Sequence, residues 1–374
     1  MTVILEAPPR EVFVERIRRA QAELEQQGVD LMLLGPSSDL FYLTGFRAHV
    51  SERMNLLGVP RNGTPFLIVP LLEAPNARDR AGLVEIHAWE ETQQPAELAA
   101  KLAGPVDGKT IAVGDQLWSV FLLRLQAAMP GARWLPAHGV MRALRMRKDA
   151  YEIAVMREAS RRTDEAWAEF VESGPISGLT ETEAMDRLAA LMKKRGMPSS
   201  FGICASGPNS AAPHYHTGDR VIQPGDVVIF DWGGELQGYH SDITRTVVVG
   251  SEPSEEFRRI YEIVMKANQA TFEAVQPGVP CERLDQIARQ IITEAGYGPQ
   301  FLHRVGHGLG LDVHEEPYLV AGNTLPLQPG MIFSDEPGIY LEGRFGVRIE
   351  DAVLCTETGG ERLTNASREI IVMD

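Results

Sequence analysis

The sequence predicts a two-domain α+β protein, a small α/β domain followed by a larger one made of two αα-β halves. Three observations predict it. The chain has 374 residues, more than a single compact core usually organises. Helix-like and strand-like stretches alternate through the first third, the pattern of an α/β layer. Beyond about residue 145 a pair of helical stretches recurs, each pair followed by apolar, strand-like sequence, a weak sign of duplication.

The N-terminal elements follow from periodicity. Residues 11–27 set Val12, Ile17, Ala20 and Leu24 on one face of a helix that Gly28 ends. LMLLG at 31–35 reads as a short buried strand, and 64–72 and 109–115 as two more. SVFLLRLQAAM at 119–129 is a helix closed by Pro130 and Gly131. The texture changes between 140 and 150, so the domains are drawn as 1–143 and 144–374. In the second, helices are expected at 149–172, 181–196, 254–274 and 281–296. Glu183, Asp186 and Ala189 align with Glu282, Asp285 and Ala288 at an offset of 99. DVVIFDWGG and MIFSDEPGIY supply the strands after each pair, and two such halves would enclose a site.

Composition removes several classes of function. The 51 acidic residues against 36 basic ones leave a net charge of −15, which excludes nucleic acid as a partner. No apolar run approaches the roughly 20 residues that span a bilayer. The N-terminus, MTVILEAPPREVFVERIRRA, turns polar too soon for a signal peptide. Cys204, Cys281 and Cys355 include no close pair. They read as buried free thiols, and the expected location is the cytoplasm.

Five residues stand out as metal ligands. Asp231 lies in the apolar strand VVIFDWGG, where an unpaired carboxylate would be costly. Asp242 leads into the next strand, and a hairpin using Gly233, Gly234 and Gly238 as turn residues would fold it beside Asp231. His307 sits in GHGLG, whose glycines permit close backbone approach. Glu336 in SDEPGIY and Glu350 in GVRIEDAV complete the set. Four carboxylates and a neutral imidazole carry −4, which two divalent cations neutralise and one does not. Oxygen-rich ligation with one imidazole suits manganese, cobalt, iron or zinc. Two such ions roughly 3.5–4 Å apart can hold both sides of a hydrolysed bond.

The segments SGPNSAAPHY (206–215), DWGGELQGYHSDITRTVVVG (231–250), GHGLGLDVHEEP (306–317), MIFSDEPGIY (331–340) and VRIEDAVL (347–354) fall in an order that resembles the pita-bread metallopeptidases. That family includes Xaa-Pro dipeptidases (prolidases), aminopeptidase P and methionine aminopeptidases. GPSSDLFYLTGF (35–46) is similar to the creatinase-type N-terminal domain of the proline-directed branch. The resemblance implies a pita-bread C-terminal fold and two divalent ions, manganese first among them. It implies small proline-containing peptides as substrates and a homodimer. Asp231 would bind one ion, Asp242 and Glu350 would bridge, and His307 and Glu336 would complete the second. Glu336 would also shuttle the proton, His214 and His314 would contact substrate and stabilise the oxyanion, and Arg348 would orient ligand or product. His216, His240 and His303 match no ligand position and read as polar loop or surface histidines.

A dipeptidase must also hold the carboxylate of a C-terminal proline, for which the resemblance places an arginine between His314 and Glu336. Residues 315–335 contain neither Arg nor Lys. Arg47, after YLTGF, is the expected replacement, able to grip a carboxylate with two parallel bonds. The main alternative is aminopeptidase P activity on longer Xaa-Pro-Yaa peptides. The other readings are a metal-free creatinase-like hydrolase and a non-catalytic binding protein on the same fold.

Overall fold

A computed structural model describes residues 8–80 and 82–374. The first seven residues of the expected N-terminal domain, and of the segment read as lacking a signal peptide, lie outside the described residues. The chain divides into two compact units, one ending at Arg145 and the other running from Met146 to Asp374. No helix among the described residues is long and apolar enough to cross a membrane.

The N-terminal unit is a mixed six-stranded sheet. Its spatial order is Glu85–Trp89, Phe66–Pro70, Leu56–Pro60, Leu31–Leu34, Thr110–Val113, Arg133–Pro136. Leu31, Leu33, Leu56, Phe66, Ile68 and Ile111 pack with Phe121 and Leu125 of helix Ser119–Ala128. Asp30 fixes the start of the central strand. Its carboxylate accepts from Arg61 Nη2 at 2.8 Å and from the Thr110 amide at 2.9 Å. Helix Arg10–Gln26 buries Phe13, Ile17, Ala20 and Leu24, so its inward face includes most of the positions read from the sequence.

The second unit repeats one plan. Helices Ala150–Glu172 and Glu181–Lys194 precede the sheet ordered Ile371–Met373, Ile243–Val249, Val227–Leu236, Ser199–Ser206. Helices Glu255–Glu273 and Cys281–Glu294 precede the sheet ordered Glu315–Leu319, Gly306–Gly308, Ile332–Asp335, Asp351–Cys355, Gly360–Arg362. Asp149 with Glu152 and Thr180 with Glu183 form reciprocal caps at the first two helix starts, which satisfies amides that a helix leaves unpaired. The shorter helices of the two pairs start at Glu181 and Cys281 and bury 181, 184, 185 and 188 against 281, 284, 285 and 288. Their structural offset is therefore 100. The three identities at an offset of 99 are out of register by one, and Asp186 is exposed where Asp285 is buried.

Alternation along the strands separates core from site. In Val227–Leu236, Phe230 and Trp232 pack against the helix, with Trp167 and Trp232 ring centroids 4.6 Å apart and Phe170 and Phe230 5.1 Å apart. Asp231, between them, faces the other way. In Ile332–Asp335, Phe333 enters the second core with Ile260, Val264, Leu284 and Val353, while Ser334 turns toward Glu336. The two sheets meet where the Glu350 amide donates to Thr244 O at 3.2 Å. Beneath that junction the buried Arg245 donates to the carbonyls of Thr244, Glu350, Ala366 and Ser367 and to Asp351.

Candidate metal centre

Asp231 and Asp242 come together through an antiparallel pair in which Asp231 stands opposite Thr244. The turn differs from the expected one. Gln237 (φ 52°) and Gly238 (φ 94°) occupy left-handed conformations, as a tight two-residue hairpin requires. Gly233 and Gly234 lie inside the strand instead. A Cβ on Gly233 would stand 2.0 Å from Ser241 O, so its small size allows the return strand to close on it. The glycines flanking His307 act likewise. A Cβ on Gly306 would lie 1.9 Å from Ser334 O, and one on Gly308 2.3 Å from Glu316 O.

These strands bring ligand-type atoms of Asp242, His307 and Glu350 within 4.8 Å of one another. The three residues are 2%, 4% and 2% exposed. Glu336 joins them, with Oε1 3.3 Å from His307 Nε2 and accepting from Ser334 Oγ at 3.1 Å. One oxygen of Glu350 accepts from Thr244 Oγ1 at 2.6 Å. Asp231 Oδ2 accepts from Arg348 Nη2 at 2.5 Å. Its Oδ1 is buried and has no hydrogen-bond partner.

The electrostatics of this cluster are those of carboxylates short of positive charge. Burial, reinforced by the Asp231 charge, pushes Asp242 well above the usual carboxylate range. Burial and then the Asp242 charge do the same to Glu350. Burial raises Asp231 despite the opposing Arg348. For Glu336, burial is outweighed by the hydrogen bond and charge of His307, and its pKa falls to about 2. Burial opposes the imidazolium of His307, but its Glu336 bond and the Glu336 and Asp242 charges lift it overall. Close carboxylates cannot all stay ionised without cations between them. The orphaned Asp231 oxygen and the buried cluster together make a donor set that fits hard or borderline divalent ions.

The other expected residues surround the cluster. His314 has its ring 4.0 Å from that of His307. Solvent reaches it, yet the surrounding protein and then the His307 charge push its pKa down to about 4. His214 is exposed on the loop after Ser206. Glu181 anchors that loop by accepting from Ser206 N (2.7 Å), Ser206 Oγ (2.7 Å), Asn209 Nδ2 (3.0 Å) and Gly218 N (3.3 Å). Arg348 Nη1 reaches Pro213 O at 3.3 Å and Tyr340 Oη at 3.0 Å, linking the His214 loop to Asp231. Arg47 belongs to the N-terminal unit, where it is exposed with its guanidinium 4.6 Å above the Phe41 ring.

His303, which reads from the sequence as a polar loop or surface histidine, lies beside the cluster. Its Nε2 lies 2.8 Å from Tyr340 Oη, and its Nδ1 is 3.8 Å from Glu336 Oε2. Its only sequence signal was its place four residues before His307. His216 is exposed, as read. His240 is part-buried and lies 3.0 Å from Ser200 Oγ.

Comparison with known proteins agrees with this geometry. Residues 154–357 match the model of metallopeptidase family M24, and 16–147 that of the creatinase/prolidase N-terminal domain. The chain is 39% identical over 368 residues to the probable dipeptidase PepE of Mycobacterium tuberculosis, covering 97% of each. It is 33% identical over 363 residues to the Xaa-Pro dipeptidase of Pyrococcus horikoshii, covering 96% of this chain and all of that one (100%). The crystal structure of a recombinant prolidase from Thermococcus sibiricus superposes with a TM-score of 0.92 at 40% identity, covering 96% of this chain and 99% of that one. The chain therefore belongs to metallopeptidase family M24, whose members use divalent metal ions, and carries a creatinase/prolidase-type N-terminal domain.

Proposed function

We propose that this protein is an Xaa-Pro dipeptidase that works with two divalent metal ions held by Asp231, Asp242, His307, Glu336 and Glu350. The observation that carries the reading is the buried cluster of carboxylates around His307, with Asp231 Oδ1 left unpartnered. Asp242, His307 and Glu350 would hold the ions together with Glu336 and with Asp231, which Arg348 braces. Oxygen donors with one imidazole suit manganese, with cobalt, iron and zinc as alternatives. When bound, such a pair supplies Lewis acidity and activates water at neutral pH.

The chain's own groups divide the remaining work. Glu336, ionised and held by Ser334 and His307, takes the proton of the attacking water and passes it to the proline nitrogen as the bond breaks. That nitrogen comes from a tertiary amide and leaves as an amine only when protonated. His314 is neutral at physiological pH and donates a hydrogen bond to the developing oxyanion, with His214 approaching from its own loop. The relatives named Xaa-Pro dipeptidase and prolidase favour a two-residue substrate ending in proline. With added manganese, kcat/KM for Xaa-Pro dipeptides should exceed that for Xaa-Pro-Yaa peptides. The reverse order would identify an aminopeptidase P.

Arg47 is carried as a substrate contact on its sequence position. Arg47→Ala should raise KM for Xaa-Pro about tenfold or more, the worth of one charged hydrogen bond; unchanged KM and kcat would remove Arg47 from the site. A cytoplasmic location is favoured by Cys204, Cys281 and Cys355, all buried free thiols. The homodimer rests on family resemblance and is read directly by light scattering.

A further inference from the structure

The interval 315–335 contains no cation of its own, yet an arginine from outside reaches it. Arg304 lies in the loop ahead of strand Gly306–Gly308. That loop is fixed from helix Cys281–Glu294. Asp285 accepts from the Val305 amide at 2.9 Å, and Arg289 donates to the carbonyls of Phe301 (3.0 Å) and His303 (2.8 Å). His303 points to Glu336 and Tyr340, whereas the Arg304 guanidinium lies over the Tyr318 ring, 4.2 Å from its centroid.

Tyr318 places that guanidinium at the site. It is the register partner of His307, and directly opposed residues of an antiparallel pair share a face. His307 in turn is 4.0 Å from His314, ring to ring. The other arginine beside the cluster is committed, Arg348 to Asp231 and Tyr340. Among the described residues, no carboxylate pairs with Arg304 and no hydrogen bond uses its guanidinium.

We infer that Arg304, with Tyr318 as its platform, binds the C-terminal carboxylate of the substrate and so selects dipeptides over longer chains. The inference rests on the Xaa-Pro dipeptidase reading and names the residue that sets its chain-length preference. A planar guanidinium matches a carboxylate with two parallel bonds. Stacking on an aromatic face holds it in place before substrate arrives. The position also accounts for the missing arginine: the interval after His314 supplies the tyrosine, and the loop ahead of strand Gly306–Gly308 supplies the charge.

The test compares Leu-Pro, its C-terminal amide and Leu-Pro-Gly with the wild type, Arg304→Gln, Arg304→Lys and Arg47→Ala, all with manganese. For Arg304→Gln, kcat/KM on Leu-Pro should fall about 10–100-fold, mostly through KM, the scale of one charged pair. Cleavage of the amide should change by less than about threefold, because it offers no charge to bind. Arg304→Lys should fall between, keeping charge and losing the fork. Inhibition by free proline should weaken with Leu-Pro cleavage. Equal losses on acid and amide, no loss on either, or discrimination lost in Arg47→Ala but kept in Arg304→Gln would each overturn the assignment. A wild type that cleaves none of the three peptides overturns the dipeptidase reading itself, and this inference with it. A wild type that cleaves Leu-Pro, matched by Arg304→Gln, overturns the role of Arg304 alone.

Discussion

Glu350→Gln should lower kcat/KM on Xaa-Pro substrates by at least about 10²–10³-fold, the scale of removing one preorganised charged group from a hydrolytic site. The same substitution should raise the melting temperature of the metal-free protein. Both effects come from one arrangement. The Glu350 backbone is fixed by its amide bond to Thr244 O, and one side-chain oxygen by Thr244 Oγ1. Glutamine fits that shape and keeps the acceptor. What it loses is the charge facing Asp242, where burial and a like charge already push Glu350 far toward protonation. Without cations that charge costs stability, and with them it holds the site together. Activity assays, metal content and melting of the chelator-treated protein check the prediction. Wild-type kinetics in the variant would refute a bridging role for Glu350.

Arg245→Leu should destabilise the protein by about 3–5 kcal/mol, the usual result of removing one partner of a buried charged network. Arg245 is 1% exposed and its guanidinium ties Asp351 and four backbone carbonyls at the meeting of the two sheets. Leucine fills part of the space but leaves those carbonyls unpaired in a dry interior. Asp351 retains Thr364 and Arg368, so the loss should stop short of unfolding the chain at room temperature. Because Thr244 and Glu350 sit at the same junction, metal affinity should fall with stability. The urea midpoint reads the first effect and metal titration the second.

Much of this was legible in the sequence, for physical reasons that differ by residue. The ligand-type residues were visible because each lies within or at the edge of an apolar strand-like stretch or between glycines, where a charge or a missing side chain is costly without a purpose. Helix Ala150–Glu172 was legible from its helical spacing, and the structure adds the cap at Asp149 that starts it. The repeat was legible as a plan and misread in register. Backbone and burial recur at an offset of 100, which Gly196 and Gly296 share, while the three identities within the helices fall at 99 and each of those pairs lies in different environments. The hairpin turn was misplaced because glycine signals either a turn or a close strand approach. Gly233 and Gly234 serve the second purpose, and the non-glycine Gln237 helps make the turn.

Strands Leu56–Pro60, Glu85–Trp89 and Arg133–Pro136 escaped notice because each is short and carries a glycine, proline or charged residue. His303 reads only as a polar loop or surface histidine, and Arg304 goes unmarked, because nothing local singles them out. Their meaning comes from Glu336 and Tyr318, which approach only after the strands have paired.

The central claim, that Asp231, Asp242, His307, Glu336 and Glu350 hold two divalent ions used for hydrolysis next to proline, is tested most directly by counting metal. Purified protein reconstituted with manganese and freed of excess should bind two equivalents per chain, with Leu-Pro cleavage rising as the sites fill and vanishing on chelation. Full activity in the chelated protein, or no bound metal in a folded and active one, would contradict it.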